Sequence, residues 1–344
     1  MTESMLRFFS YQQPRRIRVV ENVLKSRRTV ANLFWAQQYG ILPWLGANRR
    51  LSRADYDHAI ASLVEQELLR VDEEKQALLT EKGVAVLENK RPQLYEPSFY
   101  AWFWLANTSR LMERLLLAVQ VVSEYSYHQR KYVPLQLPYS EMQAVKQWFR
   151  QNYSPTVVKH FYDDLHRFSA AIASEDEKLA VDFVNMLVGH GTAGWTLEQA
   201  GQYLQMPLTE VGFLRHDEML ALAAYAAKLT GPLQQLLGPL LNTSPLTHSA
   251  QLSLGSYQRG FTIGQIAKQR RLKENTVREH LLEAAIMTPD QLKWEQLLPA
   301  QLRDQLSQQY KGAATGWHYQ GPANDNQGFF EFRLYQIYQG GKHD

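Results

Sequence analysis

The chain has 344 residues, of which 45% are hydrophobic, 21% charged and 12% aromatic, enough for two or three folded domains. It contains no cysteine, which excludes disulfide scaffolds, thiol catalysis, thiolate zinc sites and cysteine-held iron–sulfur clusters. The formal net charge is only +3, but residues 1–53 hold ten Lys/Arg against Glu3 and Glu21, a balance of +8. Residues 257–281 hold six against Glu274 and Glu279, a balance of +4, which leaves −9 elsewhere. Two cationic segments on an acidic body suit a polyanionic partner, because neutralising phosphates releases condensed counterions. No apolar leader follows Glu3 and Arg7, and the uncharged run from Leu229 to Gln258 is broken by Pro232, Pro239 and Pro245. A soluble, cytoplasmic (nucleoid-associated) protein is expected.

Residues 17–39 carry helical patterning, with Val20, Val23 and Leu24 on one face and a break at Lys25-Ser26-Arg27-Arg28. Val30, Leu33, Phe34 and Gln37 then space a second helix that ends near Gly40. Pro43 and Gly46 mark a loop. Ser52 is placed to cap a third helix, whose apolar face is Tyr56, Ile60, Leu63 and Val64. The runs Leu68–Val71 and Ala77–Leu79, split by Asp72-Glu73-Glu74-Lys75, predict a hairpin with an acidic tip. Thr80-Glu81-Lys82-Gly83 opens a short helix to Glu88. The order helix, helix, helix, hairpin, helix from Val23 to Asn89 resembles bacterial winged helix-turn-helix domains. Its acidic tip departs from a phosphate-gripping wing, so both DNA contact and protein docking are open to it. Arg27, Arg28, Arg49, Arg50 and Arg53 are its candidate DNA-binding residues.

Residues 92–247 read as an all-helical middle. The run Phe99, Tyr100, Trp102, Phe103, Trp104 predicts a helix buried on most sides, and Leu111, Leu115, Val119 and Val122 continue an apolar stripe. Aromatics in such number offer stacking surfaces for single-stranded bases. Core packing is the preferred reading, because they are interleaved with Leu and Ala rather than with Arg and Lys. Pro134 and Pro138 interrupt the chain, and further helices fit Ser140–Arg150, Pro155–Ala173 and Asp176–Val188. Asn242-Thr243-Ser244-Pro245 is the linker candidate.

Residues 260–282 carry the most information. Thr262 is an N-cap, Ile263, Ile266 and Ala267 form a buried face, Arg270–Lys273 make a tight turn plugged by Leu272, and Val277 and Leu281 face inward from a second helix. This predicts a helix-turn-helix whose second helix is presented to the major groove. Lys268, Arg270, Arg271 and Lys273 surround the turn as phosphate contacts. Asn275, Thr276, Arg278, Glu279 and His280 are the outward candidates for reading DNA. A related pattern lies 66 residues earlier, where Gly194–Gly201 parallels Gly260–Ala267, Met206 matches Leu272 and Val211 matches Val277. The earlier copy lacks the basic turn and reads as a degenerate helix-turn-helix used for packing.

The C-terminal motif resembles the helix-turn-helix at the C-terminus of some bacterial RecQ-family helicases. The tail "NQGFFEFRLYQIYQ" is similar to the final segment of that module, although its pattern fits a helix and a strand equally. Together with "LKSRRTVANLFWAQQYGIL", the chain resembles the YpbB-like family of Gram-positive bacteria. That resemblance implies an accessory role beside a RecQ-type helicase and brings no catalytic residues.

No Gly-x-x-x-x-Gly-Lys-Ser/Thr or His-Glu-x-x-His occurs, and no serine sits in a nucleophile elbow. His160 and His166 are six apart, too far for one helical face, and Glu175-Asp176-Glu177 is a helix start favoured by the dipole. The expectation is a mainly α protein with no cofactor, metal or catalytic site. Its parts are a basic arm and winged helix (1–91), a helical middle (92–247) and a C-terminal helix-turn-helix module (248–344). The expected role is a non-catalytic DNA-binding accessory protein in DNA repair or recombination, partnered by DNA and a RecQ-type helicase. A sequence-specific transcription regulator is the alternative.

Overall fold

A computed structural model describes residues 2–340, which are mainly helical. The first helices are α1 (Ile17–Leu24), α2 (Val30–Gln38), α3 (Arg53–Glu65), α4 (Glu81–Lys90), α5 (Thr108–Ser126) and α6 (Tyr139–Asn152). Then come α7 (Val157–Ala173), α8 (Glu177–Met186), α9 (Leu197–Leu204), α10 (Leu208–Ala226), α11 (Pro232–Leu237) and α12 (His248–Gln258). The last are α13 (Ile263–Arg270), α14 (Glu274–Met287), α15 (Trp294–Leu297), α16 (Ala300–Gln309) and α17 (Asn326–Gly340). Three short strands, β1 (Arg15–Arg16), β2 (Leu69–Val71) and β3 (Gln76–Leu79), form one antiparallel sheet in the order β1-β3-β2. Among the described residues no helix is long and apolar enough to cross a membrane.

The chain divides into two compact units. The first holds the residues up to Arg27 together with Pro43–Thr243; the second holds Arg28–Leu42 together with the chain from Ser244 onward. The boundary at Ser244 falls inside the expected linker. No unit boundary falls between residues 91 and 92. The elements of the expected winged helix occur in their expected order, but α2 groups with the second unit and α1 and α3 with the first. Those elements therefore do not form one unit.

In the first unit the hairpin forms where alternation and turn residues place it. Asp72 Oδ1 accepts from Gln76 N at 2.8 Å, and Lys75 takes the left-handed conformation at the tip. Ser52 and Thr80 cap α3 and α4 through Asp55 N and Gly83 N. At Gly83 a side chain would collide with the Leu68 carbonyl, so this glycine lets α4 lie against the start of β2. The hub is α10, which is buried along most of its length. Glu210 on it accepts from Arg7 at 2.9 Å and from Tyr95 N at 2.7 Å. Asp217 accepts from the Tyr95 hydroxyl at 2.6 Å and from the amides of Ser98 and Phe99 at 2.7 and 2.9 Å. These donors offset the cost of burying Glu210 and Asp217, whereas the neighbouring Glu218 is buried without one, and burial raises its carboxyl well above the usual range. The helix expected over Phe99–Trp104 is instead one 3-10 turn, Tyr100–Trp102, and it is not buried on most sides: Tyr100 is buried, but Trp102 is 40% exposed. The stripe through Leu111, Leu115 and Val122 lies on α5.

The second unit is built on α14. Leu281 to Ile286 are buried without a break, against α12, α2 and α17. Glu283 accepts from Thr247 N at 2.8 Å, from the Thr247 hydroxyl at 2.9 Å and from Arg28 at 3.0 Å, tying the start of α12 and the entry to α2 onto α14. The Arg333 guanidinium on α17 lies 4.0 Å from the Phe34 ring centroid on α2. The tail whose pattern fitted helix and strand is helical.

Candidate nucleic-acid interface

The start of α13 is set by a capping box. Thr262 Oγ1 accepts from Gln265 N at 3.3 Å, and the Gln265 side-chain oxygen accepts from Thr262 N at 2.8 Å. Arg271 ends the helix at φ 54°, ψ 44°, in the left-handed region, and turns the chain toward α14. Leu272 N closes the turn on the Ala267 carbonyl at 2.9 Å. Ile266, Ala267 and Val277 form the small core between the two helices, with Tyr257, Ile263 and Leu272 packed against it. Local capping and one apolar cluster thus fix the angle at which α14 presents its first turns.

The cations around this turn divide into two groups. The side chains of Lys268, Arg271 and Lys273 are exposed and make no hydrogen bond or ion pair among the described residues. Asn275, on the first turn of α14, is exposed as well, and Thr276 is half-buried. Arg270 differs: it points at α12, donating to the Ser249 carbonyl at 2.8 Å, the Ser249 hydroxyl at 3.0 Å and the Ser253 hydroxyl. Its expected place among the phosphate contacts is corrected to that of a clamp between α13 and α12.

Two outward candidates on α14 are also corrected. His280 Nδ1 lies 2.8 Å from the Ser253 hydroxyl. That hydroxyl also accepts from Arg270, so Ser253 joins the His280 ring and the Arg270 guanidinium on one oxygen. Burial and the nearby Arg270 charge hold the imidazole below its usual range. Arg278 keeps only 14% of its side chain exposed, paired to Glu274 at 3.0 Å and to the Gln327 side chain at 3.1 Å. The signal for two of these placements was present in the spacing. Arg270 follows Ile263, Ile266 and Ala267 at i+7, i+4 and i+3, and His280 follows Val277 at i+3 and precedes Leu281. Both positions lie on apolar stripes, where charge alone was a poor guide.

The N-terminal candidates are mostly engaged within their own units. Arg28 donates to Glu283 and the Pro245 carbonyl, so it is corrected to a structural contact of the second unit. Arg50 is 77% exposed and pairs with Glu113 at 2.6 Å; Arg53 is exposed and lies 3.8 Å from Asp57. Arg49 lines a cavity of about 510 Å³ in the first unit, together with His216. Arg27 is exposed.

The earlier copy of the motif is the pair α9–α10. Thr196 and Gln199 make the same capping box, and Gln205 turns the chain at φ 54°, ψ 40°. Met206 N closes on the Gly201 carbonyl at 3.0 Å, and Val211 is fully buried like Val277. The backbone of the corner is therefore repeated with the same offset of 66 residues. Its second helix is different in use, since α10 is buried nearly throughout and cannot enter a DNA groove.

A family model described as a helix-turn-helix domain matches residues 249–334, from the first turn of α12 into α17. The C-terminal unit carries a helix-turn-helix domain. Protein YpbB of Bacillus subtilis (strain 168) is similar, 23% identical over 284 residues, which cover 78% of this chain and 77% of that protein. The similarity therefore runs well beyond the helix-turn-helix. No solved structure matches the chain.

Proposed function

We propose that this is a non-catalytic DNA-binding accessory protein that works beside a RecQ-type helicase in DNA repair or recombination, as a soluble protein associated with the nucleoid. The observation that carries the DNA-binding part is the exposed, unpaired set Lys268, Arg271 and Lys273 at the corner of the helix-turn-helix. Cations there meet phosphates as the chain turns into the recognition helix. The helicase part is supported by the resemblance of the motif to the C-terminal module of RecQ-family helicases. Arg278 and His280 are spent on internal bonds, which leaves Asn275 and Glu279 as the exposed base-reading candidates of α14. So small a set of readers favours sequence-tolerant binding over the regulator alternative.

Titrations of the full chain against random duplex, forked and single-stranded DNA at two salt concentrations test this. The accessory reading expects a steep salt dependence, with a slope of about 0.9 per neutralised phosphate, and little sequence preference. A preference of about 10³-fold for one site would establish the regulator instead. Affinity capture with a RecQ-type helicase tests the partner.

A further inference from the structure

A second site lies in the first unit, between α5 and α6. On α6, Met142, Val145, Lys146, Phe149 and Arg150 recur at helical spacing, and Tyr153 follows where the helix ends. One face of the helix therefore sets the cations Lys146 and Arg150 beside the Phe149 ring, with the Tyr153 ring just beyond its end. Opposite it, α5 presents Leu117, Val121 and Tyr125 at intervals of four. The chain between the helices is non-helical, and a buried amide fixes its path. The Gln120 side chain donates to the Val133 carbonyl at 3.1 Å and accepts from Leu135 N at 2.9 Å, as a strand edge would. Glu141 pins the start of α6 to α5, accepting from Arg110 at 2.5 Å and Arg114 at 2.7 Å while itself buried. These walls enclose a cavity of about 710 Å³.

The chemistry of this cavity is one-sided. Arg130, Lys146 and Arg150 line it, and no carboxylate does. All three cations are exposed and have no ion pair or hydrogen bond among the described residues. Between them Tyr125, Phe149 and Tyr153 form a ring cluster, with centroids 5.4, 5.1 and 5.8 Å apart. Tyr153 is 63% exposed. An exposed aromatic ring and three cations free of internal partners are available to a ligand. A ligand with flat π faces joined by phosphates satisfies both.

We propose that this cavity binds a single-stranded nucleic-acid segment, with bases stacked on the Tyr125–Phe149–Tyr153 cluster and phosphates held by Arg130, Lys146 and Arg150. A duplex hides its base faces and is too wide for a cavity of this size, which suits one or two nucleotides. An acidic peptide would leave the aromatic faces unused. The site is built from other elements than the helix-turn-helix, and the inference does not rest on the duplex-binding reading.

The test uses the full chain and 15-residue oligo(dT) and oligo(rU) in anisotropy titrations, with free thymidine monophosphate as competitor. The three cations are exposed and unpaired, so Arg130→Ala, Lys146→Ala and Arg150→Ala together are expected to leave the fold intact by circular dichroism. The combined variant should lower the salt slope for oligonucleotide by about 2, at about 0.7 per phosphate contact. Tyr153→Ala should weaken oligonucleotide binding about 5- to 150-fold, the range for one lost base–aromatic stack, and Tyr153→Phe should restore it. Duplex affinity should be unchanged in every variant. Binding of oligo(dT), oligo(rU) or both with these losses supports the proposal and assigns the sugar. Oligonucleotide binding that is absent, or unaltered in the variants, overturns it, as does competition by the mononucleotide at the affinity of the oligomer. Substitution of Lys268, Arg271 and Lys273, read on duplex alone, reports on the other site separately.

Discussion

Replacing Lys268, Arg271 and Lys273 together by Ala removes three exposed side chains that make no internal bond. Substitutions of this kind change stability by less than about 0.5 kcal/mol, so the melting curve should be that of the native protein. Binding to a random duplex should change in a specific way. Each phosphate contact contributes about 0.9 to the slope of log K against log salt, so three contribute about 2.7. Over a fourfold rise in salt, from about 50 to about 200 mM, the native protein should lose about 40-fold more affinity than the variant. Anisotropy titrations at four salt concentrations measure both slopes. Equal slopes would show that this corner does not touch the phosphate chain, and the reading of the helix-turn-helix as a duplex-binding surface would fall with it.

Arg270→Ala should do the reverse. It breaks the bonds to Ser249 and Ser253, costing about 1–3 kcal/mol by chemical denaturation, and leaves the salt slope nearly unchanged. Arg271→Gly separates backbone from side chain at one position. The residue sits at φ 54°, where a Cβ costs about 1 kcal/mol, so Gly should be more stable than Ala there while both lose the same contact with DNA. In the first unit, burial holds the His216 imidazole down to about 3, so the folded protein keeps it neutral where the unfolded chain protonates it. Stability drawn from this group is complete above pH 6.5 and is lost as pH falls toward 3. Against His216→Gln, the native protein should therefore lose about 1 kcal/mol per pH unit over that window. Asp217, raised to about 6 by burial, acts oppositely in both proteins and cancels in the difference. A pH-independent difference would show that His216 does not titrate with unfolding.

Much of the helix-turn-helix was legible because its determinants are local. Thr262, the Ile263–Ile266–Ala267 face, Leu272 and Val277 lie within 16 residues of one another, and the repeated capping at Thr196 came with the same pattern. The hairpin and the caps at Ser52 and Thr80 were legible for the same reason. Strand β1 was not, since two residues carry no period. What sequence could not give is pairing at a distance. Arg28 meets Glu283 across 255 positions and Arg7 meets Glu210 across 203, and these contacts turn residues of a basic arm into internal struts. The aromatic–basic face of α6 also went unrecognised. Its rings and charges alternate at helical spacing over residues 142–153 instead of forming a run, as they do at 99–104.

The assignment of α2 to the second unit has a consequence for how the protein can be cut. The polypeptide passes from one unit to the other at residues 27/28, 42/43 and 243/244, so neither unit is one continuous stretch of chain. A protease that nicks the segment at 242–245 leaves α2 on the larger fragment, although its packing partner α14 is on the smaller. A fragment beginning at Ser244 would expose the flank of α14 that α2 covers and would leave Glu283 without Arg28. Recovering that piece intact calls for supplying residues 28–42 as a separate peptide or fusing them back by a short loop.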